Sequence, residues 1–170
     1  MKTLLCGLLM FAGLLCGTTA AKNKPTNELT LTIVDVSPSG SITVRISNHS
    51  KQAVRLWKES NSWGAAHWRV LLIREGRLQT FYQNPDQAFT RNIPTFNVIA
   101  RGAHLEHKLN LNETDWRGSE GQKISFKSGD TVIVIYDVPI TYGWAELPET
   151  VVASKMNVWY GVISTLMTIQ

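Results

Sequence analysis

The sequence predicts an all-β protein, a two-sheet antiparallel β-sandwich of immunoglobulin-like architecture preceded by a cleaved signal peptide. Apolar and polar residues alternate along seven to nine short segments, and turn-forming residues separate these segments. No long amphipathic helix follows the first 20 residues. A closed β-barrel is the alternative, because alternation and turn spacing do not distinguish it from a sandwich.

The amino-terminal residues have the composition of a secretory signal peptide. Lys2 is positively charged, Leu4 to Leu15 is an almost unbroken apolar run, and small residues precede the expected cleavage after Ala20 or Ala21. The run is too short for a membrane-spanning helix, so we expect no transmembrane segment. The sequence therefore predicts a secreted or periplasmic protein.

Both cysteines, Cys6 and Cys16, lie in this leader, so we expect a mature protein without thiols or disulfides. Cys16-Gly17 also resembles a lipoprotein cleavage site, although Leu15 is bulkier than the residue that normally precedes such a cysteine. Lipid anchoring through Cys16 is therefore the alternative to simple cleavage.

Length and charge indicate one domain and limit its partners. With residues 1–20 as signal peptide and residues 21–27 as a disordered lead-in, residues 28–170 suffice for a single domain with its own core. The chain has 17 Lys and Arg residues against 13 Asp and Glu, scattered along its length. The absence of a dense basic stripe from the sequence argues against nucleic-acid binding. We expect a monomer that needs no cofactor.

The first two strands are expected to form an antiparallel hairpin. Residues 29–33 alternate between apolar side chains and threonines, and the apolar phase slips by one at Val34, which predicts a β-bulge. Residues 37–40 are expected to turn, because their proline restricts φ and their glycine allows a positive φ. Residues 42–46 alternate again as the second strand.

Further strands are expected in order along the chain. Their alternation places them at residues 54–56, 68–73, 78–82, 96–98, 105–111, 131–138 and 158–169. The segment of residues 68–73 has apolar residues on both faces of the strand, which predicts a central strand that is buried on both faces. Residues 83–94 are irregular, and residues 151–156 are compatible with a short helical turn.

Two segments resemble exported immunoglobulin-like accessory domains. In the first, Ile42 to Ser50 ends a strand in Asn-x-Ser, and the next strand begins with the apolar stretch Val54 to Trp57; the second is Trp159 to Ser164. The first hairpin is also similar to that of bacterial proteinase-inhibitor domains of the BsuPI type. The resemblance implies a fold, and no functional residue is carried over from it.

The titratable residues offer two candidate sites for chemistry. His104 and His107 are three residues apart with Glu106 between them, but strand alternation places the two histidines on opposite faces. We therefore expect a solvated strand, with a zinc site as the alternative. Glu113 and Asp115 are the candidate acid/base pair, and turn formation is the simpler explanation for them.

Six tryptophans are the remaining signal, and Trp57, Trp63 and Trp144 are the candidate ligand-binding residues. Trp63 and Trp144 lie in polar loops, where an aromatic ring can present a flat apolar face to a sugar or a peptide. The alternative is that these rings fold back and fill the open ends of the core. Trp68 and Trp159 lie on expected strands and are predicted to belong to the core.

Two N-glycosylation sequences occur, Asn48-His49-Ser50 and Asn112-Glu113-Thr114. Both lie in expected turns. Asn48 and Asn112 would therefore be accessible acceptors if the source is eukaryotic.

The sequence thus favours an exported, non-enzymatic β-sandwich that binds a protein or glycan partner through loop aromatics. No nucleophile motif and no phosphate-binding loop is present in the sequence. One alternative is an enzyme with a carboxylate or histidine site in a cleft between the sheets, and another is a structural envelope or matrix component. An enzyme requires titratable groups that converge in a concave pocket, whereas a binder requires an exposed aromatic or edge-strand patch.

Overall fold

Strands make up all the regular secondary structure in the described part of the chain. The computed structural model describes residues 28–60, 64–83, 95–113, 116–118, 123–139 and 157–170. The strands are β1 Leu29–Ser37, β2 Ser41–Asn48, β3 Val54–Trp57, β4 Trp68–Arg74, β5 Arg77–Gln83, β6 Phe96–Ile99, β7 His104–Asn110, β8 Trp116–Arg117, β9 Thr131–Val138 and β10 Gly161–Thr168. In these ranges we find no helix that is long and apolar enough to span a membrane. The prediction of an all-β protein is confirmed.

The strands form three sheets in which every ladder between strands is antiparallel. The strand orders are β1-β2-β7, β10-β9-β4-β5-β8 and β3-β6. Within the described ranges none of the three sheets closes on itself, so the barrel alternative finds no support. An isolated parallel bridge between Arg55 and Val158 connects β3 to the residues that precede β10.

The first hairpin has the register and the irregularity that the sequence predicts. β1 pairs with β2 from Leu29↔Asn48 to Ser37↔Ser41, and the register shifts between Ile33 and Asp35. That shift is the expected bulge. Gly40 closes the turn with a φ of +88°, and its N–H donates a hydrogen bond to the Ser37 carbonyl at 3.0 Å.

Two central ladders join parts of the chain that are distant in sequence. β2 pairs with β7, where Ile42 lies opposite Leu109. β4 pairs with β9, where Val70 lies opposite Val134. The residues of each of these two pairs are more than sixty positions apart, so the sheets are held together by long-range pairing rather than by hairpins alone.

Alternation along the strands buries one face of each sheet in a shared core. Five aliphatic residues at alternating strand positions are fully buried, with 0% of their surface exposed: Ile42, Val44, Val70, Val132 and Val134. Side chains from both larger sheets and from β3 and β6 belong to the same apolar cluster. These residues are therefore the main source of stability, because burial of apolar surface drives folding.

The prediction that β4 is buried on both faces is wrong. Trp68, Val70 and Leu72 are buried, but Leu71 is only half-buried and Ile73 is 36% exposed. β4 is central in its sheet, between β9 and β5, yet within the described residues only one side of that sheet faces the core. Successive apolar residues in β4 therefore reflect a core face and a second, exposed apolar face.

Asn48, at the end of β2, connects three parts of the chain through its buried side chain. Its Nδ2 donates to the carbonyls of Gln52 at 2.8 Å and Ile99 at 2.9 Å, with the Ala100 carbonyl at 3.2 Å. Its Oδ1 accepts from the Ser50 N–H at 2.9 Å. The expectation that Asn48 is an accessible glycosylation acceptor is wrong, because this amide is fully buried and its nitrogen holds β2 to β3 and β6.

Asn112 has a similar role at the opposite end of β2. Its Nδ2 donates to the Ser39 and Ile124 carbonyls at 2.7 and 2.9 Å, and its Oδ1 accepts from the Ile124 N–H at 2.6 Å. A glycan would replace one of the two amide hydrogens used here. The exposed position of Asn112 agrees with the expected turn, but the engagement of its nitrogen argues against glycosylation in the folded state.

A partly buried ion pair links the end of β4 to the turn before β9. Arg74 donates to Asp130 from Nε at 2.8 Å and from Nη2 at 2.6 Å, and the Lys127 N–H also donates to this carboxylate at 2.8 Å. The hydrogen bond from Arg74 holds the pKa of the Asp130 carboxyl below its ordinary value. The same bond raises the pKa of Arg74, so both groups are charged in the folded protein at neutral pH.

Candidate functional site

An aromatic stack crosses the core at the end of the five-stranded sheet where β4 begins. Trp68 and Tyr136 are cross-strand partners, and their ring centroids are 4.5 Å apart. On one side the Trp68 ring lies parallel to the His107 ring of β7 at 5.3 Å. On the other side Tyr136 stacks on Trp159 at 6.1 Å. The stack therefore joins the five-stranded and three-stranded sheets.

Glu59 connects this stack to the loop that follows β3. Its Oε1 accepts a hydrogen bond from Trp68 Nε1 at 2.6 Å and lies 2.9 Å from His107 Nε2. Trp68 is buried, and a buried indole N–H requires an acceptor. The His107 and Glu59 side chains are 29% and 31% exposed. This carboxylate–imidazole pair is thus partly accessible to solvent at one end of the stack.

The backbone of the same loop is closed tightly at its base. A Cβ atom on Gly64 would overlap the carbonyl of Lys58 and the N–H of Glu59, so only glycine allows the two ends of the loop to approach this closely. The Lys58 N–H donates to the Thr95 carbonyl at 3.0 Å. These contacts fix Glu59 beneath Trp68 and His107.

Of the three candidate ligand-binding tryptophans, Trp57 is part of the core. It is 2% exposed, and its ring centroid lies 5.0 Å from that of Phe96, its cross-strand partner on β6. The expectation that Trp57 binds a ligand is therefore corrected, because the ring has no open face. Of the predicted core tryptophans, Trp68 is fully buried and Trp159 is partly buried against the core.

Trp63 and Trp144 lie outside the described residues. Trp63 belongs to the connection between β3 and β4, and Trp144 to the connection between β9 and β10. β4 begins where β9 ends, since Trp68 pairs with Tyr136, and β10 starts opposite the end of β9. Both connections therefore leave the five-stranded sheet at the end that carries the aromatic stack.

The two histidines of β7 point to opposite faces, as the alternation predicts. His107 stacks on Trp68 inside the fold, whereas His104 is exposed. Across the described ranges no three metal-ligating side chains form a group. Of the candidate acid/base pair, Glu113 accepts a hydrogen bond from Asn110 at 3.0 Å, and Asp115 lies outside the described residues.

A second candidate surface is the side of the five-stranded sheet that points away from the core, here called the outer face. It comprises the side chains of residues 162, 164, 166 and 168 on β10, residues 131, 133, 135 and 137 on β9, residues 69, 71 and 73 on β4, residues 78, 80 and 82 on β5, and residue 117 on β8. Leu166, Ile133 and Leu71 are direct neighbours across three strands. On β5 this row ends at Thr80, and in the adjacent row Ile73 lies opposite Leu78.

The apolar side chains of the outer face are unusually accessible. Val162, Leu166 and Leu78 are 63%, 60% and 61% exposed. The charged side chains of this face within β10, β9, β4 and β5 are Arg69 and Asp137, which pair with each other at 3.5 Å. The middle of the face is therefore apolar and uncharged.

No known protein family, curated protein or solved structure matches the chain. The similarity to exported immunoglobulin-like domains and to the BsuPI type stays a prediction. Function therefore has to be inferred from the geometry of the aromatic stack and of the outer face.

Proposed function

We propose that this protein is a non-enzymatic binding domain of immunoglobulin-like sandwich architecture, and that its partner is a protein that docks on the outer face. The observation that carries this proposal is the row Leu166, Ile133 and Leu71, which lies beside the neighbouring apolar pair Ile73 and Leu78. In a protein that acts alone, an uncharged apolar patch across four strands would expose hydrophobic surface without benefit.

The size of the outer face limits how much binding it can contribute. Strands about 4.8 Å apart and residues about 3.3 Å apart along each strand give the four-stranded face an area of about 400 Å². This area includes Arg69, Asp137 and the Ser and Thr side chains of the face as well as its apolar side chains. Burial of the apolar part contributes about 25 cal/mol for each Å² of apolar surface removed from water.

The chemistry of the face favours a protein over a glycan or a nucleic acid. Its central row consists of aliphatic side chains, which do not stack on sugar rings or bases as aromatic faces do. Tyr82, 50% exposed on β5, is the one aromatic side chain among the residues that define the face. Arg69 is already paired with Asp137, so these four strands offer no basic stripe for phosphates. A flat apolar surface of another protein is the complementary partner.

A pull-down from the exported or periplasmic fraction tests this proposal when it compares matched variants. Leu166→Asp places a charge in the centre of the row, and Val98→Asp places the same charge at an equally exposed apolar residue, 64% exposed, on β6. We expect the first variant to lose a partner that the wild type and the second variant both retain. Equal capture by all three proteins would contradict the proposal.

The loop tryptophans are a further part of the proposed binding surface. Trp63 and Trp144 belong to connections at the same end of the five-stranded sheet, and aromatic anchors contribute strongly to binding. We expect Trp63→Ala to leave the melting temperature nearly unchanged and to weaken partner binding by at least about 1 kcal/mol. A large loss of stability with unaltered binding would assign Trp63 to the core instead.

The pair of Glu59 and His107 favours a second candidate function, acid/base catalysis at the end of the aromatic stack. A carboxylate that orients an imidazole is a recurrent arrangement in hydrolytic sites. Against this function, the same Glu59 oxygen also accepts from Trp68, which gives the carboxylate a structural role. A screen of ester, glycoside and peptide substrates distinguishes acid/base catalysis from binding alone, because any activity of this site must be lost in Glu59→Gln.

The proposal includes the expected export of the chain. A signal peptide at residues 1–20, cleaved after Ala20 or Ala21, would deliver the domain to a compartment where its partner is secreted or periplasmic. The intact mass of the exported protein distinguishes this cleavage from retention of Met1 and from a lipid adduct on Cys16.

A further inference from the structure

We infer that the contact between Glu59 and His107 is a pH-sensitive clamp, which holds the connection between β3 and β4 more firmly when His107 is protonated. Residues 58–67 form this connection, and residues 58–60 and 64–67 of it are described. The clamp is a property of the domain by itself. Its effect on partner binding rests on the proposed function, because the same connection carries Trp63.

The clamp ties the connection to both larger sheets through one carboxylate oxygen. Glu59 Oε1 lies 2.9 Å from His107 Nε2 on β7 of the three-stranded sheet. The same oxygen accepts from Trp68 Nε1 at 2.6 Å, on β4 of the five-stranded sheet. Gly64 lies directly against the backbone of Lys58 and Glu59. A change in the hold on Glu59 therefore acts on the base of the whole connection.

Protonation of His107 strengthens two contacts of its ring. A neutral imidazole donates an ordinary hydrogen bond to Glu59, whereas an imidazolium donates one with charge on both partners, which is the stronger kind. The imidazolium also lies over the Trp68 ring, tilted by 10° with the centroids 5.3 Å apart, and an indole face attracts a cation. Histidine is the side chain whose charge ordinarily changes between about pH 5 and pH 8. The additional hold on Glu59 is therefore present at acidic pH and is lost as pH rises and the ring becomes neutral.

The other charged groups on the neighbouring strands point away from His107 or are paired elsewhere. Val44, directly opposite His107 on β2, is apolar and buried. The outward faces of the two sheets carry the remaining charged side chains near this end: Arg45, Arg69, Glu106, Lys108 and Asp137. Lys58 is exposed, so water and salt screen its charge. Tyr136 lies against Trp68, and His67 packs edge-on against Tyr136. Glu59 therefore determines the sign of the response to protonation of His107.

Thermal unfolding of the full mature chain at about pH 5 and at about pH 8 tests the clamp. His107→Gln and Glu59→Gln each keep a hydrogen-bonding amide without the charge. His104→Gln is the matched control, because His104 is exposed on the other face of β7. When pH is lowered, we expect the wild type and the control to gain about 2–4 °C in melting temperature relative to His107→Gln. Glu59→Gln should show only the smaller part of this gain, since it keeps the contact with Trp68 alone.

Tryptophan fluorescence gives a second readout, which a merely structural role of His107 would not change. A protonated imidazole in contact with an indole quenches its emission. The emission of the folded wild type should therefore fall between about pH 8 and pH 5 as His107 becomes charged against Trp68. The same decrease is expected in His104→Gln and should be absent from His107→Gln.

The outcomes are decided without any partner. Parallel pH profiles for the wild type and His107→Gln, in either measurement, overturn the inference. If His107→Gln does not fold, Glu59→Gln replaces it as the reference for the melting temperature, and a full acid gain in that variant overturns the inference. Docking of a protein on the outer face is judged separately by the pull-down with Leu166→Asp, so either proposal can fail while the other stands.

Discussion

Replacement of Asn48 by alanine tests whether one buried amide holds the end of β2 to β3 and β6. The Gln52 carbonyl keeps a hydrogen bond from the Ser50 hydroxyl at 2.6 Å in the variant, and the Ala100 carbonyl keeps one from the Ala103 N–H at 3.0 Å. The loss therefore falls on the Ser50 N–H and the Ile99 carbonyl.

The size of the effect follows from these two groups. A buried polar group that loses its partner costs about 1–3 kcal/mol. For two such groups we therefore expect the free energy of unfolding of Asn48→Ala to fall by about 2–6 kcal/mol. Urea denaturation, followed by tryptophan fluorescence, measures this difference.

A control variant makes the assay specific. Asn97→Ala removes a partly exposed amide from neighbouring β6, and we expect a change of no more than about 0.5 kcal/mol. A loss below about 1 kcal/mol in Asn48→Ala, or an equal loss in the control, would refute the assigned role.

The aspartate variant of the same residue adds a pH dependence of known sign. In Asn48→Asp the carboxylate still accepts from Ser50, but it cannot donate to the Gln52 and Ile99 carbonyls. Burial and these carbonyls raise the folded-state pKa of the new carboxyl. The variant is therefore most stable at acidic pH, where the carboxyl is protonated, and loses stability as pH rises through the raised pKa.

Three further predictions concern other parts of the fold. Asp130→Asn should reduce the free energy of unfolding by about 2–4 kcal/mol, because Arg74 loses a charged partner. The pKa of Asp130 is held below its ordinary 3.8 in the folded protein. The stabilisation by its carboxylate is therefore complete above pH 3.8 and is lost as pH falls through the lower, folded-state pKa. Denaturation measured over a range of acidic pH should show a steeper decline in stability for the wild type than for the variant. Gly40→Ala should lower the free energy of unfolding by at least about 1 kcal/mol more than Gly76→Ala. Both glycines have a positive φ, but of the two positions only position 40 has neighbouring atoms that a methyl group would overlap. Ile42→Ala should cost about 2–5 kcal/mol in urea denaturation, since Ile42 is fully buried.

Each of these three predictions has a result that contradicts it. Parallel acid profiles for wild type and Asp130→Asn would remove the ion pair from the account of stability. Equal melting temperatures for the two glycine variants would mean that the contact around Gly40 relaxes without cost. For Ile42→Ala, a loss no greater than that of Thr43→Ala, on the other face of β2, would contradict its place in the core.

Local patterns predict the first hairpin because its information lies in neighbouring residues. The slip of the apolar phase at Val34 indicates the bulge, and the proline and glycine of residues 37–40 indicate the turn. The same alternation places His104 and His107 on opposite faces of their strand. Each of these inferences depends on residues that are close together in sequence.

The candidate sites depend on contacts that no local pattern contains. Glu59, Trp68 and His107 come from a loop and from two different sheets, so nothing in the sequence shows which carboxylate satisfies the buried indole. The outer face could not be predicted from the sequence, for a related reason. An apolar strand such as β4 has the same sequence pattern whether its second face packs against another layer or meets solvent.

Long-range pairing in both central ladders also determines when this protein can fold. Leu109 and Val134 are synthesised more than sixty residues after their partners Ile42 and Val70, and β9 is completed on its other side only by β10, the last of the described strands. Closing such long loops costs entropy before the contacts form, so folding is slow. Because β10 completes the five-stranded sheet, a growing chain cannot finish this fold before residues 161–168 have been synthesised.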